Sequence, residues 1–152
     1  MSPHLYEPYV PDPSLPAAWI VDVDGTLAIR KYPGGRSPFD MTRVSEDTLN
    51  VPVARLVAAL EAQALIVVMS GRDESARVDT EAWLDRHGIA WDSLHMRAAG
   101  DQRKDSVVKE ELFRLHVAPK YWVQGVVDDR KQVVAMWRDL GLMCAAVAEG
   151  DF

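Results

Sequence analysis

Hydrophobic and polar positions alternate in blocks whose period changes along the chain. Ala18 to Val23 reads as a largely apolar strand, followed by a polar loop to about Asn50. From Pro52 to Gln63, Val53, Leu56, Val57 and Leu60 recur three and four apart, the spacing of a helix with one apolar face against the core. Leu65 to Met69 is a second apolar strand. A helix from about Glu74 to His87 follows, closed by Gly88, then a short strand near Leu94 to Arg97 and a helix near Ser106 to His116. The scheme repeats with a strand Trp122 to Val127, a helix Lys131 to Leu140 closed by Gly141, and a strand Leu142 to Ala148. Strands alternating with helices predict an α/β fold: a Rossmann-like three-layer sandwich around a mostly parallel sheet of about five strands.

Five of the nine prolines fall in residues 1–16, and this density disfavours helix and central strand. Those residues are expected to form an irregular arm, and residues 17–152 a single domain. At 152 residues and 48% hydrophobic, the chain suits one compact domain without room for a second catalytic unit. No apolar run approaches the roughly 20 residues that cross a bilayer, and the first ten residues lack the pattern of a secretion signal. A single cysteine, Cys144, excludes an internal disulfide framework and a cysteine-based zinc site, so a reducing cytoplasm is expected. Lys and Arg number 17 against 23 Asp and Glu, a net charge of −6, so any polyanion must be met by local cations.

In a doubly wound sheet, ligands gather beyond the carboxyl ends of the strands. The first strand runs into Asp22-Val23-Asp24-Gly25-Thr26, whose two carboxylates repel one another unless a cation lies between them. Mg²⁺ meets that need with oxygen ligands; an ordinary Asp-Gly turn is the plain alternative. After the second strand, Ser70-Gly71-Arg72-Asp73 combines a hydroxyl, a flexible backbone and a guanidinium suited to phosphate, or simply caps the next helix. Lys109 lies in the following helix and offers a point charge for the same anion, unless it is surface decoration. Asp128 and Asp129 end the strand at Val127, with Arg130 beside them.

The order of these features, acidic pair, serine, lysine, second acidic pair, resembles the haloacid dehalogenase superfamily of phosphotransferases. A receiver domain uses similar residues, but there the lysine follows the last acidic position. Gly35-Arg36-Ser37-Pro38-Phe39-Asp40, Met69 to Arg72, Arg103 to Glu111 and Val147 to Phe152 narrow the likeness to the phosphatase domain of the polynucleotide kinase-phosphatases of T-even bacteriophages. The phosphate-binding GxxxxGK[ST] loop of their kinase domain is missing from this sequence, so the resemblance implies a free-standing 3′-phosphatase. It implies Asp22 as nucleophile, Asp24 as general acid and base, and Mg²⁺ as cofactor, held by Asp22, Asp24 through its carbonyl, Asp128 and Asp129. Thr26, Arg36, Ser70, Gly71, Arg72 and Lys109 would bind the phosphate, with Asp105 and Arg130 in support.

About 24 residues separate Thr26 from Val51 and about 38 separate Ser70 from Lys109, too few for a large cap domain. An uncovered site admits the end of a polymer. The expected substrates are DNA or RNA 3′-phosphate ends, with a separate kinase or ligase and a second copy of the chain as partners. A nucleotidase or broad small-molecule phosphatase uses the same chemistry, and a catalytically silent binding domain is the competing class. His4, His87, His95 and His116 show no metal-ligand spacing.

Overall fold

A computed structural model describes residues 7–150. Residues 1–6 of the expected arm, and Asp151-Phe152 of the closing motif, lie outside the described residues. Five parallel strands form the sheet: β1 (Ala17–Val21), β4 (Leu65–Asp73), β5 (Ser93–Arg97), β6 (Trp122–Arg130) and β7 (Cys144–Gly150), in the order β5-β4-β1-β6-β7. From β1 the chain winds first through β4 to β5, then crosses to β6 and β7. The strand order therefore reverses at β1, and the carboxyl ends of β1, β4 and β6 converge on one crevice. The three-layer α/β sandwich expected from the alternating pattern is the fold, and the described residues carry no large cap.

Both faces of the sheet are covered, which is why its strands read as continuous apolar runs. On one face Ile20, Val67 and Val126 pack with Phe113, Val133 and Trp137 from α3 (Asp105–Leu112), the wide helical turn Phe113–Val117 and α4 (Lys131–Asp139). On the other, Val21, Ile66 and Val68 pack with Val53, Val57, Trp83 and Leu84 from α1 (Val51–Glu61) and α2 (Arg77–Arg86). Leu56, expected on the apolar face of α1, is 38% exposed; Val53 and Val57 carry the buried stripe.

The remaining departures lie where polar sequence keeps regular backbone. The stretch read as a loop contains a two-stranded antiparallel flap, β2 (Ala28–Ile29) with β3 (Thr48–Leu49), and a 3₁₀ turn Met41–Glu46. β4 continues past Met69 through Ser70-Gly71-Arg72 because Asp73 pairs with Arg97 of β5 beyond an irregularity in the register. β6 likewise runs to Arg130, and β7 starts two residues later than the apolar pattern suggests. Residues 7–16 form neither helix nor strand. They are nevertheless tied down: the Tyr9 ring meets Phe113 edge-on at 5.3 Å, and its hydroxyl accepts the Val123 N–H at 2.9 Å. No helix among the described residues is long and apolar enough to cross a membrane.

Candidate active site

Asp22 follows β1 directly and is fixed by its N–H donating to Val127 O at 3.0 Å. The chain then turns at Gly25, whose φ of +80° is one that residues with a Cβ rarely adopt. A Cβ there would also lie 2.1 Å from Asp129 Oδ2, so this glycine allows the first and last acidic motifs to meet. Thr26, fully buried, donates its hydroxyl to Asp22 Oδ2 at 3.0 Å and lies 3.2 Å from Asp129 Oδ1.

Lys109 reaches the crevice from α3. Its Nζ donates to Asp22 Oδ1 at 2.7 Å and Asp128 Oδ2 at 3.2 Å, with Asp105 Oδ2 at 4.0 Å. Although burial opposes its charge, Asp128, Asp22 and Asp105 hold its pKa above the ordinary lysine value. Asp22, Asp128 and Asp129 are all buried, and each offers an oxygen within 4.8 Å of the others. Burial, then Asp128, raises the Asp22 pKa well above the usual carboxylate range despite Lys109. Burial raises that of Asp129 as well. Three carboxylates facing one ammonium are short of positive charge, and their all-oxygen donor set fits a hard divalent cation.

The two acidic residues at the end of β6 differ in occupancy. Asp128 Oδ1 accepts the N–H groups of Asp129 and Arg130, and its Oδ2 accepts Lys109 and the Trp137 indole N–H. Asp129 faces Thr26 and Asp22, leaving more of its coordination free.

Asp24 points elsewhere. The repulsion anticipated between Asp22 and Asp24 is offset by arginines, because Asp24 accepts from Arg72 Nε and Nη2 at 2.9 and 2.8 Å and from Arg36 Nη2 at 3.0 Å. Burial would raise its pKa, but the Arg72 hydrogen bonds and both guanidinium charges outweigh burial and lower it. Its side chain remains 41% exposed, the most open of these acidic groups. Ser70 is buried and accepts the Arg72 N–H at 3.1 Å. Asp105 lies 3.2 Å from Arg97 Nη2 and 3.4 Å from Arg130 Nη1. A Cβ on Gly71 would sit 2.1 Å from Asp105 Oδ1, which explains glycine there without any unusual φ.

The candidate phosphate- and metal-binding residues Asp22, Asp24, Thr26, Arg36, Ser70, Gly71, Arg72, Asp105, Lys109, Asp128, Asp129 and Arg130 thus form one connected cluster. Two more belong to it. Asp47, buried between β3 and the 3₁₀ turn, receives Arg36 Nε and Nη2, both at 2.9 Å, and Arg72 Nη2 at 3.0 Å, while its carbonyl accepts the Trp83 indole N–H. Arg97 donates to Gly71 O at 2.8 Å and joins the end of β4 to the start of α3. A carboxylate-to-arginine pattern eleven residues apart in a polar stretch gave no local signal for Asp47.

The family model of the polynucleotide kinase PNKP phosphatase domain matches residues 16–152. The chain belongs to this family. As a PNKP-type phosphatase domain it is 38% identical over 140 residues to a putative bifunctional polynucleotide kinase/RNA ligase of Autographa californica nuclear polyhedrosis virus, covering 89% of this chain and 20% of that protein. It superposes on a chain of the Pnkp1/Rnl/Hen1 RNA repair complex with a TM-score of 0.89 at 40% identity, covering 97% of this chain and 47% of that one. A haloacid dehalogenase-like hydrolase from Streptococcus pneumoniae shares the fold, with a TM-score of 0.57 at 16% identity and coverage of 88% and 84%. The PNKP-type domain therefore spans about half of the solved repair-complex chain and a fifth of the viral relative.

Proposed function

We propose that this phosphatase removes the terminal 3′-phosphate of a polynucleotide through an aspartyl-phosphate on Asp22. The observation that carries the reading is the buried Asp22 carboxylate, bridged by Lys109 to Asp128 and bordered by an Asp24 that is open to solvent. Asp22 Oδ attacks phosphorus as the bond to the 3′ oxygen breaks, and Asp24 supplies the proton that the leaving oxygen takes. Water then attacks phosphorus, Asp24 takes its proton, and the Asp22–phosphorus bond breaks to free phosphate. Ser70 and Lys109 hold the phosphoryl oxygens. The two guanidiniums keep Asp24 ionised before substrate arrives. A phosphoryl dianion beside it competes for them and raises its pKa toward a proton-carrying range. Asp22, Asp129, the Asp24 carbonyl and, with its oxygens already engaged, Asp128 in a supporting place would hold Mg²⁺, which when bound offsets the negative charge shared by the Asp22 carboxylate and the phosphoryl group.

Polynucleotide ends are favoured because the family is one of polynucleotide kinase phosphatase domains and because no large cap covers the crevice among the described residues. RNA ends are favoured over DNA because two relatives are an RNA ligase fusion and a member of an RNA repair complex. The same two relatives support a reading in which this domain works with a kinase and a ligase. The test is phosphate release in Mg²⁺ from matched RNA and DNA oligonucleotides bearing a 3′- or a 5′-phosphate, with Asp22→Asn and EDTA as controls. Release from the 3′ end alone, lost in both controls, supports the reading. Equal release from either end replaces it with a general phosphatase.

A further inference from the structure

The loop that delivers Arg36 to Asp24 carries two exposed side chains that the reaction does not use. Tyr32 is 97% and Phe39 91% exposed, and no other Phe, Tyr or Trp among the described residues is exposed. Water-facing aromatic rings sacrifice the hydrophobic gain of burial, and a pair of them seven positions apart on one loop marks a contact surface. The loop around them is firmly built. Arg36 is 4% exposed and donates to Asp47, Asp24, Ser37 O and Asp40 O, and a Cβ on Gly35 would collide with Lys31 O at 1.9 Å. The loop between the two rings is therefore anchored at Arg36. Along the chain, the Cα atoms of Tyr32 and Phe39 lie within about 14 Å and 11 Å of that of Arg36.

Charge selects the occupant. Residues 28–39 contain no Asp or Glu, in a chain whose net charge is −6, and with Arg36 engaged by Asp24 and Asp47 their outward charge comes from Arg30 and Lys31. Arg30 and Lys31 are exposed beside Tyr32. Aromatic faces interleaved with cations along a short track are the chemistry that holds single-stranded nucleic acid, bases on rings and phosphates against cations, without regard to sequence. Resting on the 3′-phosphatase reading, we infer that Tyr32 and Phe39 form a base-stacking platform for the last nucleotides of the substrate strand, with Arg30 and Lys31 along its backbone. The platform gives affinity for a polymer end that an uncapped crevice cannot obtain by enclosing a small substrate.

The test compares wild type, Tyr32→Ala, Phe39→Ala and the double variant on three substrates. These are a 3′-phosphorylated hexanucleotide, the same strand with abasic sites at its two terminal positions, and p-nitrophenyl phosphate. Loss of a stack is expected to cost about 5-fold or more per ring. The double variant should then lose tenfold or more in kcat/KM on the intact strand, through KM, relative to its rate on p-nitrophenyl phosphate. Tyr32→Phe and Phe39→Tyr should retain the wild-type value, and the abasic strand should be indifferent to the alanine substitutions. Equal losses on intact and abasic strands, or none on either, overturn the inference. So does a dimer, seen by sedimentation, that dissociates in Phe39→Ala while oligonucleotide kinetics stay unchanged. Hydrolysis of p-nitrophenyl phosphate without release from any 3′-phosphorylated strand would instead refute the underlying function, and the platform with it.

Discussion

Replacing Lys109 with Met removes the cation from the middle of the acidic cluster while keeping its volume. The ammonium is 2.7 Å from Asp22 and 3.2 Å from Asp128, and all three side chains are at most 6% exposed. At an effective dielectric near 20 these contacts are worth roughly 6 and 5 kcal/mol before desolvation. Stripping water from the ammonium costs several kcal/mol of that, and breaking a buried pair from one side destabilises by about 3–5 kcal/mol. For a domain of this size the melting temperature should fall by roughly 6–20 °C. Asp22 already has a raised folded-state pKa, and losing Lys109 raises it further. The folded variant then binds more protons than the unfolded chain, so its deficit grows as pH rises and shrinks as pH falls. Urea unfolding of both proteins in EDTA at pH 7 and pH 5 measures this. A deficit under 1 kcal/mol at pH 7, or one that does not shrink at pH 5, would refute the charge argument. Adding Asp128→Asn to the variant should recover part of the loss.

Gly71→Ala places a Cβ against the Asp105 carboxylate; unfolding experiments should show a loss of about 1–3 kcal/mol, and phosphate release should fall at least tenfold. His95 stacks on His116 with ring centroids 5.6 Å apart, and burial, followed by the charges of His116, Arg77 and Lys120, lowers its pKa to about 4. The unfolded chain takes up that proton near pH 6.5, so stability is lost as pH falls from 6.5 toward 4. Allowing for partial exposure, wild type should lose on the order of 1 kcal/mol more than His95→Asn between pH 7 and pH 5 in thermal scans. Cys144 is buried, and burial, together with Asp128, lifts its thiol to about 12. Iodoacetamide at pH 8 should therefore label the native protein at least 100-fold more slowly than the urea-unfolded one.

The clustering of Asp22, Ser70 and Asp128 at the strand ends was legible in the sequence because each is a local event, an apolar run that stops abruptly. Their order along the chain carried the rest. Asp47 was invisible because its partners lie 11 to 36 residues away, and the site role of Arg97 because it reaches Gly71 on the neighbouring strand; neither breaks a period. The β2–β3 flap escaped for a related reason, since strands of two residues show no alternation. Leu56 shows the opposite error. Helical spacing identified the stripe, but the edge of that stripe faces solvent, and only packing decides how wide the buried face is.

The most direct test of the central claim is to find the covalent intermediate. A strand carrying a ³²P-labelled 3′-phosphate is mixed with the Asp24→Asn enzyme in Mg²⁺, quenched in acid within the first turnover, digested, and the labelled peptide sequenced by mass spectrometry. Label on Asp22, removed by hydroxylamine as an acyl phosphate should be, is the predicted result. Product strand formed without label on the protein, or label on any other residue, would contradict the mechanism.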